Sequence, residues 1–298
     1  MADSHTSSRE ALTSRILPQM TLSSGLSPSL PSSLHPSPRD SAPGRFSIAG
    51  NAVITGGTGA IGLVVSRAIL QHGASGLMLL DLSVDASQPA VQALRAEFPQ
   101  AKIEARSVDV TDEEAVTKAI EETVQTLGSV DMLVCLAGIV SCSHALDTPI
   151  STWRKVLDVN TTGAFICARA AARAMISQGT GGRIVFTASI SAHRVNFPQP
   201  QAAYNVSKGA LLMLKSSLAA EWARHGITVN SISPGYMDTV LNEGEGLAEA
   251  RRIWNERNPM GRMGLPEEVA GVVVMMLSRA GSYLNGADVV VDGGGHVF

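Results

Sequence analysis

From residue 52 onward, short aliphatic runs alternate with longer stretches in which apolar residues recur at helical spacing. Runs rich in β-branched and aliphatic side chains are typical of strands that are buried on both faces of a parallel sheet. Seven such runs predict strands at 52–55, 77–80, 102–108, 131–135, 183–187, 228–232 and 288–291. Because helical patterns separate these runs, the sequence predicts an α/β fold with one doubly wound, seven-stranded parallel sheet covered by helices on both faces.

The first 45 residues follow neither pattern, since they are dense in Ser and Pro and show no helical or strand period. Such a segment cannot bury enough apolar surface to offset the entropy lost on ordering. We therefore expect a disordered tail over residues 1–45 and a single domain over residues 46–298. A mitochondrial transit peptide is the alternative for the tail, because Arg9 and Arg15 accompany many serines, but Asp3 and Glu10 argue against it.

Composition narrows the possible partners and the compartment. A formal net charge of -3 gives no general attraction to nucleic acid or to an anionic membrane surface, so neither partner is expected. Cys135, Cys142 and Cys167 show no metal-ligand spacing and no disulfide pattern, which predicts no metal site and favours a reducing, cytoplasmic compartment. No apolar stretch approaches the roughly 20 residues that a transmembrane helix needs.

A glycine-rich loop, TGGTGAIG at 55–62, follows the first predicted strand and leads into a helical pattern. Gly56, Gly59 and Gly62 would let the backbone turn tightly and approach a pyrophosphate, while the helix N-terminus offers free N–H groups to the phosphates. This order of strand, loop and helix predicts a dinucleotide site. A glycine turn with a purely structural role is the alternative.

Asp81 ends the second predicted strand, nineteen residues after Gly62. A carboxylate at this place would accept hydrogen bonds from the adenosine ribose and would repel a 2′-phosphate. Since Gly57, Thr58 and Gly59 add no basic side chain, the sequence predicts NAD rather than NADP. The alternative is that Asp81 caps the next helix.

Seven motifs occur in one order: TGGTGAIG at 55–62, DV at 109–110, LAG at 136–138, DVNTTG at 158–163, TASIS at 187–191, YNVSK at 204–208 and SPGYMDT at 233–239. Together they resemble the short-chain dehydrogenase/reductase family, over nearly all of residues 50–292. Within that family the chain is most similar to fungal polyol and ketose dehydrogenases of the mannitol, arabinitol and sorbose-reductase kind. The resemblance implies a Rossmann-type fold and NAD(P)-dependent interconversion of a secondary alcohol and a ketone by hydride transfer.

Tyr204 and Lys208 are expected to move the proton. A phenol with a pKa of about 10 is a poor base at neutral pH, but an ammonium one helical turn away, together with a positive nicotinamide, stabilises the phenolate. Tyr204 is therefore predicted to be the proton donor or acceptor, with its pKa lowered by Lys208. The resemblance further implies that Lys208 holds the nicotinamide ribose and that Asn160 fixes a water that relays protons to Lys208.

A serine hydroxyl at the end of the fifth strand would hydrogen-bond the substrate oxygen and stabilise its developing charge. The separation from tyrosine that is commonest in the family selects Ser191, thirteen residues before Tyr204. Alignment on the strand GRIVFTAS instead selects Ser189. We expect Ser189, because strand ends fix position better than loops.

The resemblance also assigns cofactor contacts, beyond those of the glycines, Asp81, Tyr204 and Lys208, to Ile61, Asp109, Val110, Gly138, Met237 and Thr239. Asp109 and Val110 would contact the adenine, although Asp109 could also cap the following helix. Gly138 would let the backbone pass close to the ribose. The Met237 backbone and the Thr239 hydroxyl would meet the nicotinamide carboxamide.

The substrate is less defined by the sequence. The segment 240–262 is amphipathic and punctuated by glycine, which predicts a mobile lid. Four polar residues between the serine and the tyrosine suit a sugar alcohol: His193, Asn196, Gln199 and Gln201. Met and Trp residues in the lid would equally suit a bulky apolar ketone, as in an enzyme that tailors a polyketide or terpenoid. A non-catalytic dinucleotide-binding protein is a third hypothesis, and the intact Tyr204 and Lys208 oppose it.

The expected oligomer is a homotetramer. Two long helical patterns with apolar faces lie near 153–176 and 204–224. Each would bury its outer stripe against a symmetry mate, in keeping with the habit of the family that the chain resembles.

Overall fold

The protein is represented by a computed structural model, which describes residues 16–24, 41–239, 242 and 244–297. Within this part of the chain, seven strands form one parallel sheet in the order β3-β2-β1-β4-β5-β6-β7. The strands are β1 (Asn51–Thr55), β2 (Gly76–Asp81), β3 (Lys102–Ser107), β4 (Met132–Cys135), β5 (Gly182–Thr187), β6 (Ile227–Pro234) and β7 (Asp288–Val291). The predicted strands and the predicted doubly wound Rossmann-type fold are confirmed.

Helices cover the sheet on both sides. They are α1 (Ala60–Gln71), α2 (Gln88–Glu97), α3 (Glu113–Leu127), α4 (Ile150–Leu157), α5 (Ala164–Gln178), α6 (Ala202–Trp222), α7 (Ala248–Glu256) and α8 (Pro266–Leu277). Among the residues described, none of these helices is both long and apolar enough to cross a membrane.

Two hydrophobic clusters hold the layers together. Because successive side chains of a strand point to opposite faces, Val53 of β1 packs with α3, α5 and α6, whereas Ala52 and Ile54 pack with α1, α2 and α8. All three side chains are fully buried. The strands are therefore buried on both faces of the sheet, which explains the continuous apolar runs in the sequence.

The predicted tail is described only in part, because residues 1–15 and 25–40 lie outside the described residues. Ser41 caps a helical turn at Ala42–Arg45, where its hydroxyl accepts a hydrogen bond from the Gly44 N–H at 3.2 Å. Ile48 is already buried in the core. Disorder over residues 1–45 stays a prediction.

The region predicted as one long helix near 153–176 is divided in the structure. A π-helical segment, Asp158–Gly163, separates α4 from α5. Gly163 lies so close to Val110 that a Cβ on the glycine would be 2.7 Å from Cγ2 of the valine. The wide turn at this place brings Asn160 into the interior, and such turns are common at functional sites.

Candidate active site

The parallel sheet collects the predicted site residues at one edge. Since all strands run in the same direction, the loops that follow β1, β2, β4, β5 and β6 meet at their carboxyl ends. The strand order reverses beside β1, between its neighbours β2 and β4, which is where dinucleotides bind in such sheets.

The glycine loop forms the tight cradle that its sequence predicts. Gly56 has a φ of +65°, and a Cβ there would be 2.7 Å from the backbone nitrogen of Ala137. A Cβ on Gly62 would collide with the Gly56 carbonyl. Gly59 is the N-cap of α1, and the first turn of that helix has neither a side-chain cap nor an acidic residue. The free N–H groups at this helix end therefore suit the phosphates of a nicotinamide dinucleotide. Ile61 is partly buried and packs against the core.

Asp81 is tied to this loop. Its Oδ2 accepts hydrogen bonds from the Thr58 hydroxyl at 2.7 Å and from the Thr58 N–H at 3.2 Å, and its Oδ1 accepts from the Leu82 N–H at 2.9 Å. The alternative in which Asp81 caps the next helix is not observed, because Ser87 is the N-cap of α2. The carboxylate is thus held beside the glycine loop, where the ribose of a dinucleotide would lie.

Asp109 and Val110 have different environments. Hydrogen bonds from the backbone N–H and then from the hydroxyl of Thr111 lower the pKa of Asp109. The helix-cap reading of Asp109 is wrong, because Asp112 caps α3 and accepts hydrogen bonds from the Glu114 and Ala115 N–H groups, each at 3.0 Å. Val110 is buried and positions the π-helical segment through Gly163.

Asn160, Gly138 and Lys208 lie together behind the predicted nicotinamide site. A Cβ on Gly138 would be 3.2 Å from Oδ1 of Asn160 and 3.6 Å from Nζ of Lys208. The Asn160 amide donates to the Ile139 carbonyl and to the Ser207 hydroxyl, both at 2.9 Å, while its oxygen accepts from the Ile139 N–H at 2.8 Å. Both amide protons are therefore engaged, and a water bound to this side chain would have to donate to Oδ1.

Lys208 is almost fully buried. Its Nζ donates a hydrogen bond to the Thr187 carbonyl at 2.7 Å and lies 5.6 Å from the centre of the Tyr204 ring. Burial lowers the pKa of Lys208 to about 8. The ammonium can therefore lose its proton near pH 8.

Tyr204 has a pKa that differs from the sequence-based prediction. Burial raises its pKa, a hydrogen bond with Ser189 lowers it, and the neighbouring Tyr236 raises it. The sequence predicts a lowered pKa, but burial dominates and the ammonium of Lys208 is directed to the Thr187 carbonyl. The protein side chains by themselves thus keep the phenol protonated, and lowering its pKa requires the positive nicotinamide of an oxidised cofactor.

Two serines follow β5, and their contacts differ. The Ser189 hydroxyl lies beside Tyr204 and lowers its pKa, and it donates to the Ser191 hydroxyl at 3.0 Å and accepts from the Ser191 N–H at 3.1 Å. The Ser191 hydroxyl accepts in addition from Nε2 of Gln201 at 3.4 Å. This arrangement supports Ser189 as the hydroxyl that shares a substrate oxygen with Tyr204, with Ser191 behind it.

We expect Ser189→Ala to lower kcat/KM by about 100-fold to 1000-fold, because one preorganised donor to the developing oxyanion is lost. Ser191→Ala should cost about ten-fold or less, since Ser191 acts on the orientation of Ser189. Steady-state kinetics of both variants with one ketone would check this. The reverse ranking would transfer the role to Ser191.

Met237 and Thr239 lie in the turn after β6. Met237 is buried and forms a bridge with Gly264 that uses the backbone of Tyr236 and Asp238. The Met237 carbonyl accepts a hydrogen bond from the Asn242 side chain at 2.8 Å. The turn is therefore fixed from two sides, and the predicted contacts of Met237 and Thr239 with a carboxamide stay a prediction.

The polar residues between Ser189 and Tyr204 form hydrogen bonds with other side chains of the protein. His193 Nε2 is 2.9 Å from Oδ2 of Asp288. The amides of Asn196 and Gln199 donate to the Tyr236 hydroxyl at 2.8 Å and 2.9 Å. Gln201 contacts Ser191.

An aromatic pair that contacts Asn196 and Gln199 was not predicted from the sequence. The rings of Tyr236 and Trp254 are stacked with centres 4.1 Å apart and planes 8° from parallel. Trp254 comes from the predicted lid, 240–262, of which residues 240, 241 and 243 lie outside the described part of the chain. The position of Tyr236, two residues after the end of β6, is the signal that could have identified it.

The described residues hold no group of three or more His, Cys, Asp or Glu side chains placed to bind a metal ion. The groups that the site presents are the Ser189 hydroxyl, the Tyr204 phenol, the Lys208 ammonium and the Asn160 amide.

Comparison with known proteins identifies relatives over most of the chain. Residues 57–296 match the family model described as Enoyl-(Acyl carrier protein) reductase. The chain is 41% identical, over 82% of its length and 93% of the relative, to galactitol 2-dehydrogenase (L-tagatose-forming) of Cereibacter sphaeroides. It is 34% identical, over 84% of its length and 93% of the relative, to NADP-dependent mannitol dehydrogenase of Hypocrea jecorina.

A solved structure of a short-chain type dehydrogenase/reductase from Mycobacterium marinum superposes with a TM-score of 0.80 at 39% identity, covering 84% of this chain and 97% of that one. Family and fold thus agree. The chain belongs to the short-chain dehydrogenase/reductase family and is an NAD(P)-binding oxidoreductase that acts on CH–OH groups.

Proposed function

We propose that the protein interconverts a polyol and a ketose. The observation that carries this proposal is the wall of polar groups beside Tyr204, where Asn196, Gln199 and Tyr236 are joined by hydrogen bonds. Neither amide uses the Tyr236 hydroxyl proton, so a substrate rich in hydroxyl groups could accept it, whereas a purely apolar ketone would leave it unpaired. The polyol-dehydrogenase names of the relatives support the same substrate class.

In this proposal a nicotinamide cofactor would be held by the glycine loop, Asp81 and Lys208, and it would supply or accept the hydride. Tyr204, kept protonated by its raised pKa, donates its proton to the oxygen of the ketose and takes it back in the reverse direction. Ser189, which lies beside Tyr204, would turn its hydroxyl proton from Ser191 to the same substrate oxygen. Lys208 is the buried ammonium behind the phenol and holds the nicotinamide ribose. Asn160, through Ile139 and Ser207, keeps this group of residues in place.

The test is a screen of polyols, ketoses, plain secondary alcohols and bulky ketones, monitored by the absorbance of NADH and NADPH. We expect the largest kcat/KM for polyols and ketoses. Turnover of bulky apolar ketones without any polyol would instead favour an enzyme that tailors a secondary metabolite. Dinucleotide binding without turnover of any substrate would favour a non-catalytic protein.

We further propose that NAD(H) is preferred over NADP(H). A 2′-phosphate beside Asp81 would add repulsion and forfeit hydrogen bonds, together about 2 to 4 kcal/mol or roughly 30-fold to 1000-fold in kcat/KM. Replacing Asp81 with Ser and Thr58 with Arg should narrow or invert this ratio. Asp85→Ser, at an exposed acid on the neighbouring turn, is the matched control.

Steady-state kinetics with both cofactors decide this proposal. The mannitol dehydrogenase of Hypocrea jecorina is named as NADP-dependent, so the proposed preference for NAD(H) would distinguish this chain from that relative. A wild type that prefers NADPH would mean that Asp81 does not receive the ribose.

We propose a homotetramer in which α6 packs against a symmetry mate. Val206 and Met213, one heptad apart on this helix, are 49% and 70% exposed, which is unusual for apolar side chains on one face. Light scattering should give four times the mass of the chain, and a monomer would contradict the proposal.

Two further parts of the proposal concern the lid and the compartment. We propose that segment 240–262 closes over the substrate and that the contact of Trp254 with Tyr236 holds it there. We also propose a reducing, cytoplasmic location, because Cys135, Cys142 and Cys167 are all free thiols.

A further inference from the structure

Tyr236 lies where it can meet a bound substrate. It follows β6, and Ser189 follows the neighbouring strand β5, so both residues stand at the same edge of the sheet. The two amides that hold the Tyr236 hydroxyl belong to the loop between Ser189 and Tyr204. Tyr236 is also among the groups that raise the pKa of Tyr204, after the larger effect of burial.

The hydrogen bonds around the Tyr236 hydroxyl have a defined direction. The indole N–H of Trp254 can only donate, and it lies 3.2 Å from Oε1 of Gln199. This contact fixes the orientation of the Gln199 amide, so its Nε2 faces Tyr236 and donates to the phenol oxygen at 2.9 Å. The Tyr236 hydroxyl is therefore an acceptor toward Gln199.

Asn196 donates to the same phenol oxygen through Nδ2 at 2.8 Å. With two amide donors, both lone pairs of the hydroxyl are occupied, but its own proton is used by neither contact. Burial raises the pKa of Tyr236, which keeps that proton in place at neutral pH. The stack with Trp254 holds the ring in place, and the two amide donors leave the hydroxyl proton to point away from both of them.

We propose that Tyr236 is a specificity-determining residue, which donates its hydroxyl proton to an oxygen substituent on a carbon close to the reacting carbon of the substrate. This inference rests on the proposed alcohol–ketone chemistry at Ser189 and Tyr204. The substrate class that satisfies it is an α-hydroxyketone and its vicinal diol. A ketone without such an oxygen leaves the Tyr236 donor unpaired, which costs binding in the transition state.

The test compares two ketones that differ by one hydroxyl group, 3-hydroxy-2-butanone and 2-butanone, in the wild type and in Tyr236→Phe. The variant keeps the stacked ring and removes only the hydroxyl. We expect the ratio of kcat/KM for the hydroxyketone over that for the plain ketone to fall about ten-fold. Tyr283→Phe is the matched control, because Tyr283 is fully exposed at 101%, and it should leave the ratio unchanged.

A second variant tests the directing role of Trp254. Trp254→Phe keeps an aromatic ring for the stack but loses the N–H that orients Gln199, so the same ratio should fall about three-fold. Melting temperatures of all variants establish that each is folded.

An equal fall in kcat/KM for both ketones in Tyr236→Phe would overturn the inference, since Tyr236 would then act only through the shape of the pocket. A ketose assayed in parallel separates this failure from that of the proposed function. If the wild type reduces both butanones but no ketose, the polyol proposal fails, while the comparison of the two butanones still decides the role of Tyr236.

Discussion

Tyr204→Phe is expected to lower turnover to less than about one-thousandth of the wild type, while the affinity for NADH stays within a few-fold. The phenylalanine ring can fill the same space beside Lys208 and Ser189, but it carries no proton for the substrate oxygen. Because the hydroxyl acts in the transition state, kcat and kcat/KM should fall together. Stopped-flow or steady-state NADH absorbance measures turnover, and fluorescence titration measures NADH binding.

Tyr283→Phe again serves as the control, since it makes the same chemical change on the surface. Retained turnover in Tyr204→Phe would remove Tyr204 from the mechanism. A loss of NADH binding as large as the loss of turnover would show that the hydroxyl serves the cofactor rather than the proton transfer.

Lys208→Met is expected to lower kcat/KM by about 100-fold or more, because it removes the buried charge behind the phenol and the predicted contact with the nicotinamide ribose. Methionine has a similar length, so the change is mainly one of charge. The Lys215→Met variant is a suitable comparison, since Lys215 is also buried on α6 but donates to the Gly286 carbonyl, away from Tyr204. Activity in Lys208→Met comparable to that of Lys215→Met would contradict the role of Lys208.

The same variant should show how much the burial of the Lys208 charge lowers the free energy of unfolding. Its pKa is about 8 in the folded protein against 10.5 as the ordinary value, so between these values the unfolded chain binds more protons. The stability of the wild type relative to Lys208→Met should therefore rise with pH through this window. Between pH 7 and pH 9.5 the gain should be about 2 kcal/mol.

Urea unfolding at several pH values checks this gain. A difference between the two proteins that does not change with pH would show that Lys208 keeps its ordinary pKa in the folded state.

The sequence predicted the parts of the fold that local pattern controls. Strand positions followed from apolar runs, because a strand buried on both faces has no polar side. The glycine loop was predictable because backbone contacts at Gly56 and Gly62 leave no room for a Cβ. The positions of Tyr204 and Lys208 were predictable because residues four apart lie on the same face of a helix, here α6.

The remaining features depend on contacts between distant segments. The π-helical turn at Asp158–Gly163 is selected by the contacts of Asn160 with Ile139 and Ser207, which no helical period reveals. The raised pKa of Tyr204 results from burial, which the spacing to Lys208 does not report. The Tyr236–Trp254 stack joins residues 18 positions apart across the predicted lid.

The π-helical turn also limits how the length of the chain can vary during evolution. A π turn holds one residue more than an α turn, so deleting a single residue from Asp158–Gly163 would let α4 and α5 fuse into one regular helix. The regular helix would rotate Asn160 away from Ile139 and Ser207. Deletions at this place should therefore give folded but inactive proteins, and lineages that keep the activity should vary in length in exposed turns at the opposite edge of the sheet, such as residues 99–100 before β3.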